Sequence, residues 1–213
     1  MAGGRYKPLT DAEVQRIHNA ALDVLEQIGM ADAPESGVAL MVAKGAVLGN
    51  DGRLRFPRAS VEDVLAKAGR HFTLYGQDPR FDLEPWGNKV HFGTAGAAVA
   101  IVDPETGEYR DSTVRDLYDS ARTVDALEHI HFFQRTVVCR DLTVPFEMDL
   151  NTCYASVSGT AKHVGTSWGD PVEMMASIEM LHMIAGGEDK WRARPFVSQS
   201  NCFVVPPMKF ATD

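Results

Sequence analysis

The stretch KHVGTSWGDPVEMMASIEMLHMIAGG, residues 162–187, changes its period in the middle, and that change decides the fold. Lys162 to Trp168 reads as a short strand. Asp170-Pro171-Val172-Glu173 then supplies a helix start: Asp170 caps, Pro171 takes the position that needs no amide donor, and Glu173 completes the box. Met175, Ile178, Leu181 and Ile184 recur at helical spacing, which predicts a buried stripe ending at Gly186-Gly187. A further strand pattern, PFVSQSNCFVV at 195–205, comes next. Strands alternating with helices imply right-handed crossovers and a parallel sheet.

Working outward, the same unit recurs upstream. Thr113 and Asp116 open a helix carrying Val114, Leu117, Ala121, Val124 and Leu127, HIHFFQRTVV at 129–138 reads as a strand, and Pro145 suits the first turn of a helix over 145–159. The N-terminal half reads differently. Thr10-Asp11-Ala12-Glu13 is a capping box ahead of Val14, Ile17, Ala21, Val24, Leu25 and Ile28, with Gly29 as the stop. A short helix is expected over 35–44 and a third from Ser60 to Gly69. From His71 to about residue 110, short alternating runs separated by Gln-Asp-Pro, Trp-Gly-Asn and Asp-Pro-Glu-Thr-Gly turns read as an antiparallel meander.

The expected fold class is therefore α/β, with a helix-and-β-meander cap over 1–110 followed over 111–213 by the first β/α units of a (β/α)8 TIM barrel. Such a barrel takes eight strands and roughly 250 residues, so the barrel reading expects the 213-residue sequence to be truncated. A complete open three-layer domain is the alternative.

Composition narrows the function classes. With 45% hydrophobic and 23% charged residues the chain is an ordinary globular one, and a formal charge of -8 argues against a nucleic-acid partner. No apolar run approaches the roughly 18 residues of a membrane span, and the N-terminus lacks a signal-like apolar core; the expected location is cytoplasmic, with no membrane partner. Cys139, Cys153 and Cys202 lie far apart without CxxC spacing and read as reduced thiols.

Gly93-Thr94-Ala95-Gly96 resembles a phosphate loop, but the residues after Gly96 read as a strand and a turn where a phosphate-binding helix should begin. His129 and His131, two apart and hence on one face of a strand, could with Cys139, His163 and Cys202 collect a metal; hydrogen-bonded histidines and packed thiols are the other reading, and no metal is expected. The methionine-rich stretch after Glu173 reads as core. Thr166, Ser167 and Trp168 leave their strand at its C-terminal end, where barrels build active sites, although Trp168 is equally suited to covering the next helix.

LTDAEVQRIHNAALDVLEQIGM (9–30), HFTLYGQDPRFDL (71–83), VHFGTAGAAVAIVDPETGEYRDSTVRDLYDSARTVDAL (90–127), KHVGTSW (162–168) and SNCFVVPPMKF (200–210) together resemble the N-terminal part of the trimethylamine:corrinoid methyltransferase family. The resemblance runs through nearly the whole chain in the same order. It implies a TIM barrel that passes a methyl group from a tertiary or quaternary methylated amine, such as trimethylamine or glycine betaine, to the reduced cobalt of a corrinoid on a separate protein. It also implies a longer natural chain, so that this fragment alone would be inactive. Corrinoid carriers of such systems present a histidine within Asp-x-His-x-x-Gly, and none of the seven histidines here follows an Asp by two. The cofactor is thus expected on a corrinoid-protein partner and not on this chain.

On that reading, Co(I) displaces a neutral amine directly, and positive charge disappears from nitrogen as the transition state forms. A fixed carboxylate at nitrogen would favour the ground state, so an aromatic cage is the better design. Strand positions nominate Trp168, Phe133, Tyr154 and Phe203 for the cage, and Thr166, Ser167, Gln134 or Gln199 to orient a substrate carboxylate. No catalytic residue is nominated. Two other classes stand beside this one: a non-catalytic fragment or interaction module, and a metal-dependent TIM-barrel hydrolase or lyase. A homo-oligomer is compatible with each.

Overall fold

A computed structural model describes residues 4, 6–202 and 204–211. In chain order its elements are α1 (Asp11–Asp23), α2 (Glu35–Val42), β1 (Val47–Leu48), β2 (Leu54–Arg55), α3 (Arg58–Lys67), β3 (Ala100–Val102) and β4 (Tyr109–Asp111). There follow α4 (Val114–Ala126), β5 (Phe132–Gln134), α5 (Pro145–Gly159), β6 (His163–Thr166), α6 (Pro171–Ala185), α7 (Glu188–Ala193), β7 (Val197–Gln199), β8 (Val204–Val205) and β9 (Lys209–Phe210). The fold is mixed α/β with small sheets.

Two compact units divide the chain at 70/71 and 201/202, and not at the expected 110/111. Residues 71–201 form one, and 4–70 with the tail from Cys202 form the other. The reason is hydrogen bonding. Only Leu74 and Leu83, and the β3–β4 hairpin, pair antiparallel as a meander would. Gly93 and Ala98 instead bridge Phe132 and Val137 in parallel, so this stretch runs alongside β5 and joins its unit. The tail also departs from expectation: β7 ends at Gln199, and Val204–Val205 turns through the Pro-Pro pair into β9.

In the smaller unit the Thr10 hydroxyl accepts the Glu13 amide while Glu13 accepts the Thr10 amide at 2.8 Å, the capping box expected there. α1 runs on through a wide π-helical turn, Val24–Ile28, and Gly29 closes it at a φ of 68°. Of its expected stripe, Val14, Ile17 and Ile28 are exposed; Leu22, Met30, Ala46 and Leu54 are the buried apolar residues. The Arg53 guanidinium ties the unit together, donating to the Ile28, Gly29 and Met208 carbonyls.

In the larger unit β5, β6 and β7 form a parallel sheet in that order. Successive strand residues point to opposite faces. Phe133 and Val164 are fully buried and pack with Leu117 and Ala121 of α4, Cys153 and Val157 of α5, and Leu181 of α6. All three helices therefore cover one face. α4 begins with a second capping box, Thr113 with Asp116, and Arg110 clamps Asp116 through two bonds of 2.8 and 2.9 Å while also reaching Asp103. At the start of α6, Asp170 caps as expected, accepting the Val172 amide at 2.6 Å, and Pro171 sits in the first turn; the Asp170 side chain bonds the second helical amide and not that of Glu173, which the expected box would use. Its buried side differs: Ser177 and Leu181 are buried with Met174, Met180 and Ala185 against the core, while Met175 and Ile184 are exposed. On that buried side Ser177 accepts the Trp168 indole N–H, the polar partner that a buried indole requires.

Candidate functional site

The strand register fixes what each face of the parallel sheet offers. Gln134 aligns with Gly165, and Gly165 with Ser198; two steps earlier Phe132 aligns with His163. These residues alternate with Phe133, Val164 and Val197, so they occupy the face opposite the helices.

Two close approaches shape that face. A Cβ on Gly93 would fall inside the Phe132 ring, and one on Gly165 would fall inside the Gln134 carboxamide. The Gln134 side chain thus lies across Gly165 toward Ser198. Its backbone is held by Thr94, whose hydroxyl accepts the Gln134 amide at 2.9 Å and donates to its carbonyl at 2.6 Å. The glycine-threonine stretch at 93–96 therefore serves as a partner for β5, and the residues after it enter β3.

His163 is buried and makes two ring contacts: Nδ1 to the Tyr75 carbonyl at 2.8 Å and Nε2 to the Ser198 hydroxyl at 2.9 Å. A carbonyl only accepts, so Nδ1 carries the hydrogen and Nε2 presents its lone pair to the Ser198 O–H. Burial pushes the imidazole below its ordinary pKa, with the Tyr75 bond opposing, which keeps the ring neutral at pH 7. Tyr75 is itself fixed. Arg194 stacks 4.7 Å over its ring and pairs with Asp82, which also accepts the Gly76 amide.

The neighbouring Lys162 has a different task. Its ammonium donates to the Val124, Leu127 and Ile130 carbonyls at 2.6, 2.7 and 2.6 Å, closing the C-terminal end of α4 where a positive charge suits the helix dipole. Burial lowers its pKa, and Asp125 opposes that.

The residues nominated from strand position do not converge. Phe133 and Thr166 are buried on the helix side, and Trp168 lies there too, its Nε1 donating to the Ser177 hydroxyl at 2.8 Å. The Thr166 hydroxyl has no hydrogen-bond partner among the described residues. Ser167 is half-buried in the loop after β6. Tyr154 sits on α5, 54% exposed. Gln199 is exposed and donates to Asn201. Gln134 alone of the set lies on the open face, and Phe203 lies outside the described residues. Phe133 is in register with Val164, and Thr166 lies two residues beyond it, so alternation gives both to the core's face. His163 and Ser198, not nominated, are the polar pair on the other face. Counting alternation from Val164 and Val197 would have placed them there.

At the C-terminal end of β6 the Gly169 amide donates to Asp149 at 2.8 Å. Glu173 lies close to the same carboxylate, and the nearness of Asp149, with burial and the charge of Asp170, raises its pKa. Of the histidines and thiols considered for a metal, His129 lies in a turn, not a strand; His131 Nδ1 accepts the Phe92 amide; and Cys139 is buried beside Thr152. Among the described residues no three His, Cys, Asp or Glu side chains gather as a metal set, and no helix is long and apolar enough to cross a membrane.

Comparison with known proteins gives a consistent result. The family model described as trimethylamine methyltransferase (MTTB) matches residues 2–213. A trimethylamine methyltransferase of Desulfitobacterium hafniense is 30% identical over 198 residues, covering 92% of this chain and 40% of that protein. The trimethylamine methyltransferase of Methanosarcina barkeri is 27% identical over 203 residues, 92% of this chain and 41% of the relative. A glycine betaine methyltransferase of D. hafniense is 25% identical over 207 residues, 97% and 42% respectively. The chain thus spans about two fifths of the length of these relatives.

Proposed function

Because the chain belongs to the trimethylamine methyltransferase family, we propose that it contributes the amine-holding face of an enzyme that moves a methyl group from a methylated amine to the Co(I) corrinoid of a partner protein. The observation that carries this reading is the neutral polar row Gln134–Gly165–Ser198, backed by His163, on a parallel sheet whose helices all lie on the other side. Successive parallel strands with their helices on one face fit the first units of a (β/α)8 barrel, the fold expected from the sequence, whose interior would be this face, with the partner docking over the strands' C-terminal ends.

The chemistry suits a site without fixed charge. The C–N bond breaks with its electron pair going to nitrogen, the positive charge on nitrogen is discharged, and the methyl carbon bonds to cobalt, which supplies the attacking pair. An ion-paired carboxylate would bind the ammonium ground state more strongly than the transition state and so slow the step. Neutral hydroxyl and carboxamide groups orient the amine with a smaller penalty of that kind. Gln134 and Ser198 are the residues proposed to touch it, and His163 positions Ser198.

The test is methyl transfer itself. A family-length polypeptide carrying this chain, mixed with reduced corrinoid protein and trimethylamine or glycine betaine, should form methylated corrinoid and release the demethylated amine in equal amounts. Demethylated amine without methylated corrinoid, or no turnover of either amine, would remove the reading.

A further inference from the structure

The hydrogen-bond chain through His163 has a direction. The Tyr75 carbonyl takes the Nδ1 hydrogen at 2.8 Å, Nε2 takes the Ser198 hydrogen at 2.9 Å, and nothing further is left to donate. A serine hydroxyl owns one hydrogen and two acceptor lone pairs. With its hydrogen committed, the exposed Ser198 presents only lone pairs to the open face. His163 is buried and Tyr75 is braced by Arg194, so the chain cannot easily turn around.

A group that offers only lone pairs selects a ligand that offers a hydrogen. Resting on the methyl-transfer reading, we infer that Ser198 makes this site one for protonated tertiary amines, which carry one N–H, in preference to quaternary ammonium ions, which carry none. A trimethylammonium ion places its N–H on Ser198 Oγ and turns its methyl groups to the rest of the face. A tetramethylammonium ion puts a methyl group against those lone pairs, which then lose water and gain no donor.

The proton balance is simple. When one methyl leaves, its bonding pair stays on nitrogen, the N–H stays where it was, and neutral dimethylamine departs; no proton passes through His163. As nitrogen loses its charge the N–H becomes a weaker donor, so the Ser198 bond is stronger before reaction than during it. Ser198 therefore acts on affinity and selectivity and does not speed the chemical step. His163 is a positioning residue that acts through Ser198.

The experiment is calorimetric titration of a family-length polypeptide carrying this chain with trimethylammonium chloride and with tetramethylammonium chloride, without corrinoid. The unaltered protein should bind the tertiary ion about tenfold more tightly, the expected scale for one hydrogen bond to a charged donor. Ser198→Ala should bring the ratio close to one, and Ser198→Thr, which keeps the hydroxyl, should retain most of it. In turnover, Ser198→Ala should raise KM for trimethylamine without lowering kcat. Nitrogen-15 NMR of His163 should show hydrogen on Nδ1 and a lone pair on Nε2. Equal binding of the two ions, an unchanged ratio in Ser198→Ala, or hydrogen on Nε2 would each overturn the inference. Binding of neither ion would remove it together with the methyl-transfer reading. The expected selectivity without methylation of the corrinoid would sustain it and remove that reading alone.

Discussion

The indole Nε1 of Trp168 donates to the Ser177 hydroxyl at 2.8 Å, and both side chains are buried. This bond ties the loop after β6 to the second turn of α6, on the side of that helix that meets the core. Trp168→Phe keeps much of the apolar volume but leaves the Ser177 hydroxyl without its donor, at a cost of about 1–3 kcal/mol. Trp168→Ala should cost about 3–5 kcal/mol. Denaturant titration of both, and of Trp168→Phe combined with Ser177→Ala, should show the double variant recovering part of the loss. Any effect on amine binding by folded Trp168→Phe should be the same for charged and uncharged ligands; a loss confined to charged ones would place the indole at the cation instead.

Gly165 separates folding from binding. The nearest atoms a Cβ there meets are the free end of the Gln134 side chain, which can swing aside. Gly165→Ala should change stability by no more than about 1 kcal/mol, while moving the carboxamide and weakening amine binding several-fold. A melting curve and a ligand titration on the same variant check the pair of outcomes.

The buried His163 also sets an acid limit. Its folded pKa lies below the ordinary 6.5, chiefly through burial, so the unfolded chain binds more protons between the folded value and about 6.5. Stability from this group is fully present above about pH 6.5 and is lost as the pH falls through the folded value. His131 is shifted the same way, also by burial, so only a comparison isolates His163. Glu173 is shifted upward and acts with the opposite sign. His163→Gln should flatten the loss of stability on acidification below about pH 6.5 relative to the unaltered protein.

Lys162 bonds three carbonyls where α4 ends. Lys162→Met fills the same volume without donors and should destabilise by about 1–3 kcal/mol, with no change in the tertiary-to-quaternary selectivity of the folded fraction. Denaturant titration and paired ion titrations check the two halves.

The legible part of this molecule is the part written in local chemistry. Thr10 with Glu13, Thr113 with Asp116, and Asp170-Pro171 start helices as their side chains require, and the alternation of β5, α5, β6, α6 and β7 follows from hydrophobic period. The remainder depends on partners distant in sequence. Residues 93–98 look like meander strand, but their hydrogen bonds go to β5, which moves the unit boundary. Met175 and Ile184 sit at helical spacing with Leu181, yet Met174 and Ala185 pack inward instead, on the side where Ser177 meets the Trp168 indole. Nearness to strand ends is only half the information a site requires; the other half is the face. Phe133, Thr166 and Trp168 fall on the core's side of the sheet, and His163 with Ser198 on the other. A hydrogen bond between residues 35 positions apart, through a ring oriented by a carbonyl 88 positions away, leaves no local signature.

The most direct test is a crystal structure of a family-length polypeptide carrying this chain, grown with trimethylammonium chloride. The ammonium nitrogen is expected about 3 Å from Ser198 Oγ, with the Gln134 carboxamide beside it and the strands' C-terminal ends above. A cation bound among Trp168, Tyr154 and the helix side of the sheet, with Ser198 turned away from it, would contradict the proposed amine-holding face.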